Sequence, residues 1–270
     1  MCTKRHGPYY GLIIPAALFG LWLAAGYTQH LNSGIFPTPS EVWDALRFLV
    51  QSGALQHHIG VSLVRVALGW ALAALAGIPV GLLMGCSRRA AAIFGPAVHF
   101  FRQIPPTAWI PLFLVWLGIG EASKLAVIFY AAIGPIILNT ALGVQSIAPE
   151  YWEVARVLCL QPMAVFKKLI WPGSRAAVYT GLRMALSLSW RALVAAEMLA
   201  GTSGLGYLVM SGRVLVRVDE MLVGVLCIGL IGMWMEWMFG LVEHRLNIPH
   251  EVVTDHQHTP APIGRRLQEV

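Results

Sequence analysis

Charge is what this sequence lacks. Only 12% of its 270 residues are Asp, Glu, Lys or Arg, and 57% are hydrophobic. A soluble globular chain carries about 25% charged and 45–50% apolar residues. Half the usual charge cannot clothe a water-exposed surface of this size. That excludes an ordinary soluble enzyme, a disordered chain and a nucleic-acid binder built on a basic surface. Cysteine is also scarce: Cys2, Cys86, Cys159 and Cys227 include no C-x-x-C pair, so they read as reduced thiols with no zinc or iron–sulfur site. No G-x-x-x-x-G-K-[ST] phosphate loop is present, so the chain has no ATP cradle of that kind. Neither the inverted repeats and acid–base relay of an ATP-independent secondary transporter nor the residue cluster of an intramembrane enzyme is evident. The pair His57-His58 lacks a third ligand and reads as solvated side chains.

What is present is a series of long apolar runs, with mean hydropathy +0.66. Residues 7–40 contain no Asp, Glu, Lys or Arg, and 9–29 read as a first membrane span. Lys4 and Arg5 before it suggest a signal peptide, but the run exceeds the usual apolar core of one and further spans follow. Five more spans are expected at about 59–85, 92–117, 123–144, 174–200 and 221–242, giving an all-α polytopic membrane protein. Eleven cations fall on the side of both termini, four on the other and four inside spans. That bias places both termini in the cytoplasm and accounts for most of the net charge of +6. The expected parts are a cytoplasmic N-terminus (1–8), a transmembrane domain (9–245) and a polar, disordered cytoplasmic tail (246–270). Between the first two spans, Pro37 and Pro39 precede a short interfacial helix capped by Ser40, with Trp43, Leu46 and Val50 on one face. Gly77, Gly81 and Gly85 recur every four residues, a spacing that permits close helix packing.

The segment between spans four and five, 146–175, is too long for a simple connection. Pro149 and Glu150 suit a helix start. Tyr151, Val154, Ala155 and Leu158 share one face, and Glu150, Glu153 and Arg156 the other. Pro162 ends this helix or begins a second that runs to about Trp171. A helix lying on lipid usually carries mostly Lys and Arg on its polar face. The glutamates favour a protein groove.

Glu153-Val154-Ala155, Cys159, Leu169 and Trp171-Pro172 resemble the loop motif of ABC importer permeases: Glu-Ala-Ala, three residues, Gly, nine residues, Ile, one residue, Leu-Pro. The chain departs at Val154, at Cys159 where Gly is usual, at Leu169 and at Trp171. FPTPSEVWDAL (36–46), GIPVGLLMG (77–85), FRQIPPTAWIPLFLVWLGIGEASK (101–124), YTGLRMALSLSW (179–190) and LVAAEMLAGTSGLGYLV (193–209) are similar to the branch carrying nitrate, bicarbonate, taurine and alkanesulfonates. The resemblance implies an inner-membrane permease subunit, working as a homodimer, with a solute-binding protein delivering a small anion. It implies a coupling helix seated in a partner ATPase, two copies of which hold ATP and Mg. Glu153, Ala155, Arg156, Cys159 and Pro172 are then coupling residues, and this chain carries no cofactor.

Ionisable groups inside spans are functional candidates by default, which makes Arg102, Arg183, Arg191 and Glu197 candidate pathway residues. Arg102 precedes Pro105 and Pro106, whose freed backbone groups require protein or a water-filled cavity around them. The alternative is a kink with Arg102 snorkelling to the cytoplasmic headgroups. Arg183 and Arg191 lie about 80° apart around one helix and could face one cavity. Arg183 also fits an interfacial contact. Arg191 fits either an anion pathway or a structural pair with Glu197 or Glu236. The expected pathway runs between spans three and five.

Overall fold

The computed structural model describes residues 36–245 together with Ala17, Gly20 and Trp22. The first expected span, the expected domain limits at residues 8 and 246 and the tail lie outside the described residues. All regular elements described are helical: α1 (Pro39–Gln51), α2 (Ala54–Cys86), α3 (Arg88–Phe101), α4 (Ile110–Leu117), α5 (Glu121–Gln145), α6 (Pro149–Val157), α7 (Pro162–Val165), α8 (Trp171–Ala200), α9 (Leu205–Val214) and α10 (Val218–Arg245). Four apolar stretches among the described residues are long enough to cross a membrane: α2, α5, the run Pro162–Val214 containing α8, and Val218–Val242 of α10.

The core is α5 held between α2 and α8. Its contact with α2 is set by small residues. A Cβ added at Gly69 would fall 2.6 Å from Ile128, at Gly77 2.9 Å from Ile136, at Gly81 2.6 Å from Thr140 and at Gly85 2.5 Å from Val144. The offset between partners is constant, so α2 and α5 run parallel with one stripe of small residues in register. Ala73 and Ala132, both fully buried in one cluster, continue it. Apolar lipid tails give no hydrophobic drive for helices to associate, so such backbone approach supplies the dispersion contact that holds them. On the other flank, Gly143 meets Ala177 and Gly181 meets Asn139, so α8 runs antiparallel to α5.

Two local structures differ from expectation. The short helix α1 is capped by Thr38, not Ser40. Thr38 Oγ1 accepts from Glu41 N while Glu41 Oε2 accepts from Thr38 N at 2.7 Å, a reciprocal cap with Pro39 in the first turn. Its buried face is Val42, Ala45 and Leu49, and Trp43 and Val50 point outward. The third expected span is not one helix. α3 stops at Phe101, and the chain resumes as a 3-10 turn, Pro106–Trp109, leading into α4. Pro105 has no N–H for the carbonyl of Phe101. The hydroxyl of Tyr130 on α5 donates to that carbonyl and to Ile104 O, so the break lies against protein as the lipid environment demands.

The stripe makes a sign test. Gly81→Ala should lower stability by about 1–3 kcal/mol through overpacking. Gly60→Ala, where an added Cβ meets nothing within 4 Å, should leave it unchanged or raise it by up to about 1 kcal/mol. Melting temperatures of the purified variants check this, and equal values would contradict the register.

Candidate coupling helix and intramembrane charges

Residues 146–175 form two helices on a clamped base. Ile147 packs against Gly173, where an added Cβ would come within 2.8 Å of it, so the segment leaves and rejoins the bundle at one place. Between these points α6 stands nearly free, with no more than marginal contact to any other described element. Ala155 is buried, while Tyr151, Val154, Val157 and Leu158 are exposed. Glu150, Glu153 and Arg156 are exposed too. Of the apolar face expected from the sequence, Tyr151, Val154 and Leu158 are left uncovered by the other described elements, and Ala155 is buried.

The end of α6 explains the unusual residue of the loop motif. Cys159 takes φ +46°, the left-handed conformation that glycine adopts without a Cβ penalty. Leu160 N donates to Ala155 O at 3.1 Å and Cys159 N to Arg156 O at 3.0 Å. This is the hydrogen-bond pair of a Schellman helix stop. The turn survives the loss of glycine at a cost of about 1–2 kcal/mol. The second helix begins at Pro162 but does not end before Pro172. It widens into a π turn over Phe166–Ile170, in which Trp171 N reaches Phe166 O, and runs directly into α8 with Pro172 in its first turn. The wide turn stands where the proline ring would otherwise strike the carbonyl one turn back. Loop and span are therefore one continuous helical rod.

At the far end of α8 lies a charge cluster whose partners the sequence did not pair. Glu197 is fully buried. It accepts from Ser62 Oγ at 2.9 Å, Arg65 Nη1 at 2.8 Å and Gly206 N at 3.0 Å. Arg65 continues to Glu121, Nε to Oε2 at 2.6 Å, and donates to Ser203 O at 2.7 Å. Lys124 Nζ reaches Glu121 at 3.2 Å. Two cations and two carboxylates balance, and three buried donors satisfy Glu197. Gly204 sits at φ +110°, and a Cβ there would lie 2.1 Å from Glu197 Oε1, so only glycine fits. Gly204 N donates to His58 Nδ1 at 3.1 Å, which makes His58 a backbone acceptor. Glu197 is therefore not the partner of Arg191. The available signal was Arg65, a cation inside an apolar run that requires a counter-charge.

Arg183 and Arg191 come together at a cavity of about 560 Å³ between α8 and α10, beside Ser187, Trp190 and Glu236. Arg191 donates to Ser187 O at 3.2 Å and Ser187 Oγ at 3.3 Å, and Ser187 Oγ reaches Glu236 Oε1 at 3.4 Å. Arg191 and Glu236 thus meet through a hydroxyl rather than directly. Thr180, Met184, Arg191 and Met198 form an exposed stripe along α8. Arg102 lies elsewhere, beside a second cavity of about 400 Å³ between α3 and α5. Its Cβ is 3.7 Å from the Cβ position of Gly134, at the middle of α5. Gly134 is about 20 Å from the start of α5 and about 17 Å from its end at 1.5 Å per residue. On the α5–α8 register, Arg183 and Arg191 stand within about 8 Å of the same level. The backbones of the three arginines therefore stand at similar levels along α5 and α8.

Apolar spans around a glycine-packed core, a detached loop helix and cations at mid-depth define a multi-pass membrane transport component. The chain belongs to the binding-protein-dependent transport system inner membrane component family, which matches residues 77–248. It is similar to the taurine transport system permease protein TauC of Escherichia coli (strain K12), at 32% identity over 87% of both chains. It is also similar to the nitrate import permease protein NrtB of Leptolyngbya laminosa, at 35% identity over 87% of this chain and 85% of that one. It is thus an ABC importer permease of the sulfonate, taurine and nitrate branch. A chain of the inward-facing MetNI methionine ABC transporter shares the fold, with a TM-score of 0.52, 19% identity, and 73% of this chain and 97% of that chain covered.

Two substitutions separate these sites. Cys159→Gly should relieve the left-handed residue and slow amide exchange across 149–160, with Cys159→Val speeding it; the reverse order would contradict the helix stop. Glu197→Gln should cost about 1–3 kcal/mol by weakening the charge-assisted bonds from Arg65, Ser62 and Gly206, with Arg65 still paired to Glu121. Arg191→Gln, exposed and bound among the described residues to Ser187, should change the melting temperature little.

Proposed function

We propose that the chain forms the translocation pathway of an ATP-driven importer for a small anion delivered by a solute-binding protein. The observation that carries this reading is α6: an amphipathic helix whose apolar face no described element of its own chain covers. Tyr151, Val154 and Leu158 supply the apolar contact area for a groove. Glu153 and Arg156 supply the charged rim, and Ala155 seats the helix at its base. Cys159 fixes the turn that presents it, and Pro172 marks where the loop becomes α8. The partner is an ABC ATPase, present in two copies, which holds ATP and Mg.

Movement of that partner enters at α6 and passes along the rod from Pro162 to Ala200. Arg183 and Arg191 ride on this rod, so a stroke at the loop displaces the cations of the pathway. Guanidinium groups at mid-depth attract an anion and compensate its loss of water. Arg102, Pro105 and Pro106 belong to the pathway on the side of the broken third span, apart from the cavity of Arg183 and Arg191. Glu197 acts as a positioning residue that pins the far end of α8. A second permease copy completes the pathway at the dimer axis. The protein sits in the bacterial inner membrane with the 1–8 segment, the 146–175 loop and the 246–270 tail in the cytoplasm.

Glu153→Arg should abolish ATP-driven uptake while the chain inserts and accumulates at the wild-type level. Uptake at the wild-type rate in that variant would overturn the docking role.

A further inference from the structure

The 201–206 loop is held to α2 by a ladder of side chains, and one of them is a titratable acceptor. His58, Ser62 and Arg65 stand at i, i+4 and i+7, on one face of α2. Each takes a different residue of the loop. Gly204 N donates to His58 Nδ1 at 3.1 Å and Leu205 N to Ser62 Oγ at 3.0 Å. Arg65 donates to Ser203 O at 2.7 Å and to Ser203 Oγ at 2.9 Å. Glu197 accepts from Gly206 N at 3.0 Å, so four consecutive residues are clasped. Gly201, Gly204 and Gly206 make half of this loop, so its shape rests on these bonds rather than on its own backbone. Ser62, Arg65 and Glu197 are buried, whereas His58 is half-buried at the end of the helix and within reach of a proton. Of the side chain types in the clasp, histidine is the one whose ordinary titration falls between about pH 5 and 8. As an acceptor, Nδ1 carries no proton. Once protonated it becomes a donor facing the Gly204 N–H, and the bond is lost. The rings beside His58 are His57, at 5.7 Å, and Tyr207 of α9, at 5.8 Å. Glu197 of α8 and Glu121 and Lys124 of α5 are engaged at the Arg65 rung, and the buried face of α1 is apolar.

We propose that His58 makes this clasp an acid-sensitive latch: a proton taken up at Nδ1 from the outer compartment frees the 203–206 segment, loosens the end of α8 and slows uptake. The proposal rests on the translocation reading above, which puts this end of α8 outside and makes α8 the moving rod. Above the histidine range the bond is present and the far end of the rod is held. Below it the bond is gone, and a rod whose far end gives way carries less of the stroke to Arg183 and Arg191.

Amide exchange across 201–206, followed by mass spectrometry on the full chain in lipid nanodiscs, reads the latch directly. His58→Asn keeps an acceptor oxygen on Cγ, where Nδ1 is attached, and cannot take the proton. His58→Leu has no acceptor. Comparing chains at the same pH removes the intrinsic pH dependence of exchange. At about pH 7.5 the native loop should exchange like His58→Asn and about threefold to tenfold more slowly than His58→Leu. At about pH 5 it should exchange like His58→Leu. His57→Asn should leave this response unchanged. In cells expressing the whole importer, lowering the outer pH should cost more uptake with the native chain than with His58→Asn. A native loop that keeps the same exchange relative to both variants at the two pH values would overturn the latch. An equal acid response of uptake in the native chain and His58→Asn would overturn its effect on transport. Exchange in nanodiscs, open to buffer on both faces and free of any ATPase, is independent of the Glu153→Arg uptake assay, so failure here is distinguishable from failure of the translocation reading.

Discussion

The close approach of α2 and α5 is the constraint on which the rest depends. A stripe of Gly69, Ala73, Gly77, Gly81 and Gly85 admits Ile128, Ala132, Ile136, Thr140 and Val144 at a constant register. Helices in lipid gain nothing from hiding apolar surface and must be held by packing and polar contacts. With α5 fixed on α2, Gly143 and Gly181 fix α8 on α5, and the depth of each intramembrane cation follows. The level of Arg102 beside Gly134 and the levels of Arg183 and Arg191 along α8 are consequences of this packing.

The polar contacts complete the constraint at one end only. Glu197, Arg65, Glu121 and Lys124 form a balanced cluster where α2, α5, α8 and the 201–206 loop meet. A buried ion pair adds little net stability over a well-packed apolar core, but losing one partner is expensive. Such a cluster therefore favours one arrangement of four segments over alternatives. At the opposite end α8 continues through a π turn into the loop that carries α6, and among the described residues it is held there by apolar packing of Ile147 on Gly173 and of Gly143 on Ala177 rather than by a charge cluster.

Much of this was legible in the sequence. Long apolar runs marked α2, α5, α8 and α10 to within a few residues, because the bilayer fixes how long an apolar helix must be. Glycine spacing announced the α2–α5 contact, and the amphipathic pattern of 149–158 announced α6. The broken third span was foreshadowed by Pro105 and Pro106, but the hydroxyl of Tyr130 that satisfies the break comes from a different helix. The pairing of Arg65 with Glu197 was not legible, since 132 residues separate them and helix periodicity carries no information on which acid meets which base. Cys159 stood out as a departure from a glycine position. Only the backbone shows that it keeps the left-handed turn and so preserves the motif's shape without its usual residue.

The central claim is that α6 is gripped by a separate ATP-hydrolysing subunit. A photo-crosslinking amino acid in place of Val154, whose side chain is exposed, reports directly on what lies against that face in transporting cells. The account predicts a crosslinked product joining this chain to the ATPase polypeptide. Adducts to phospholipid alone, in cells that continue to import at the full rate, would contradict it.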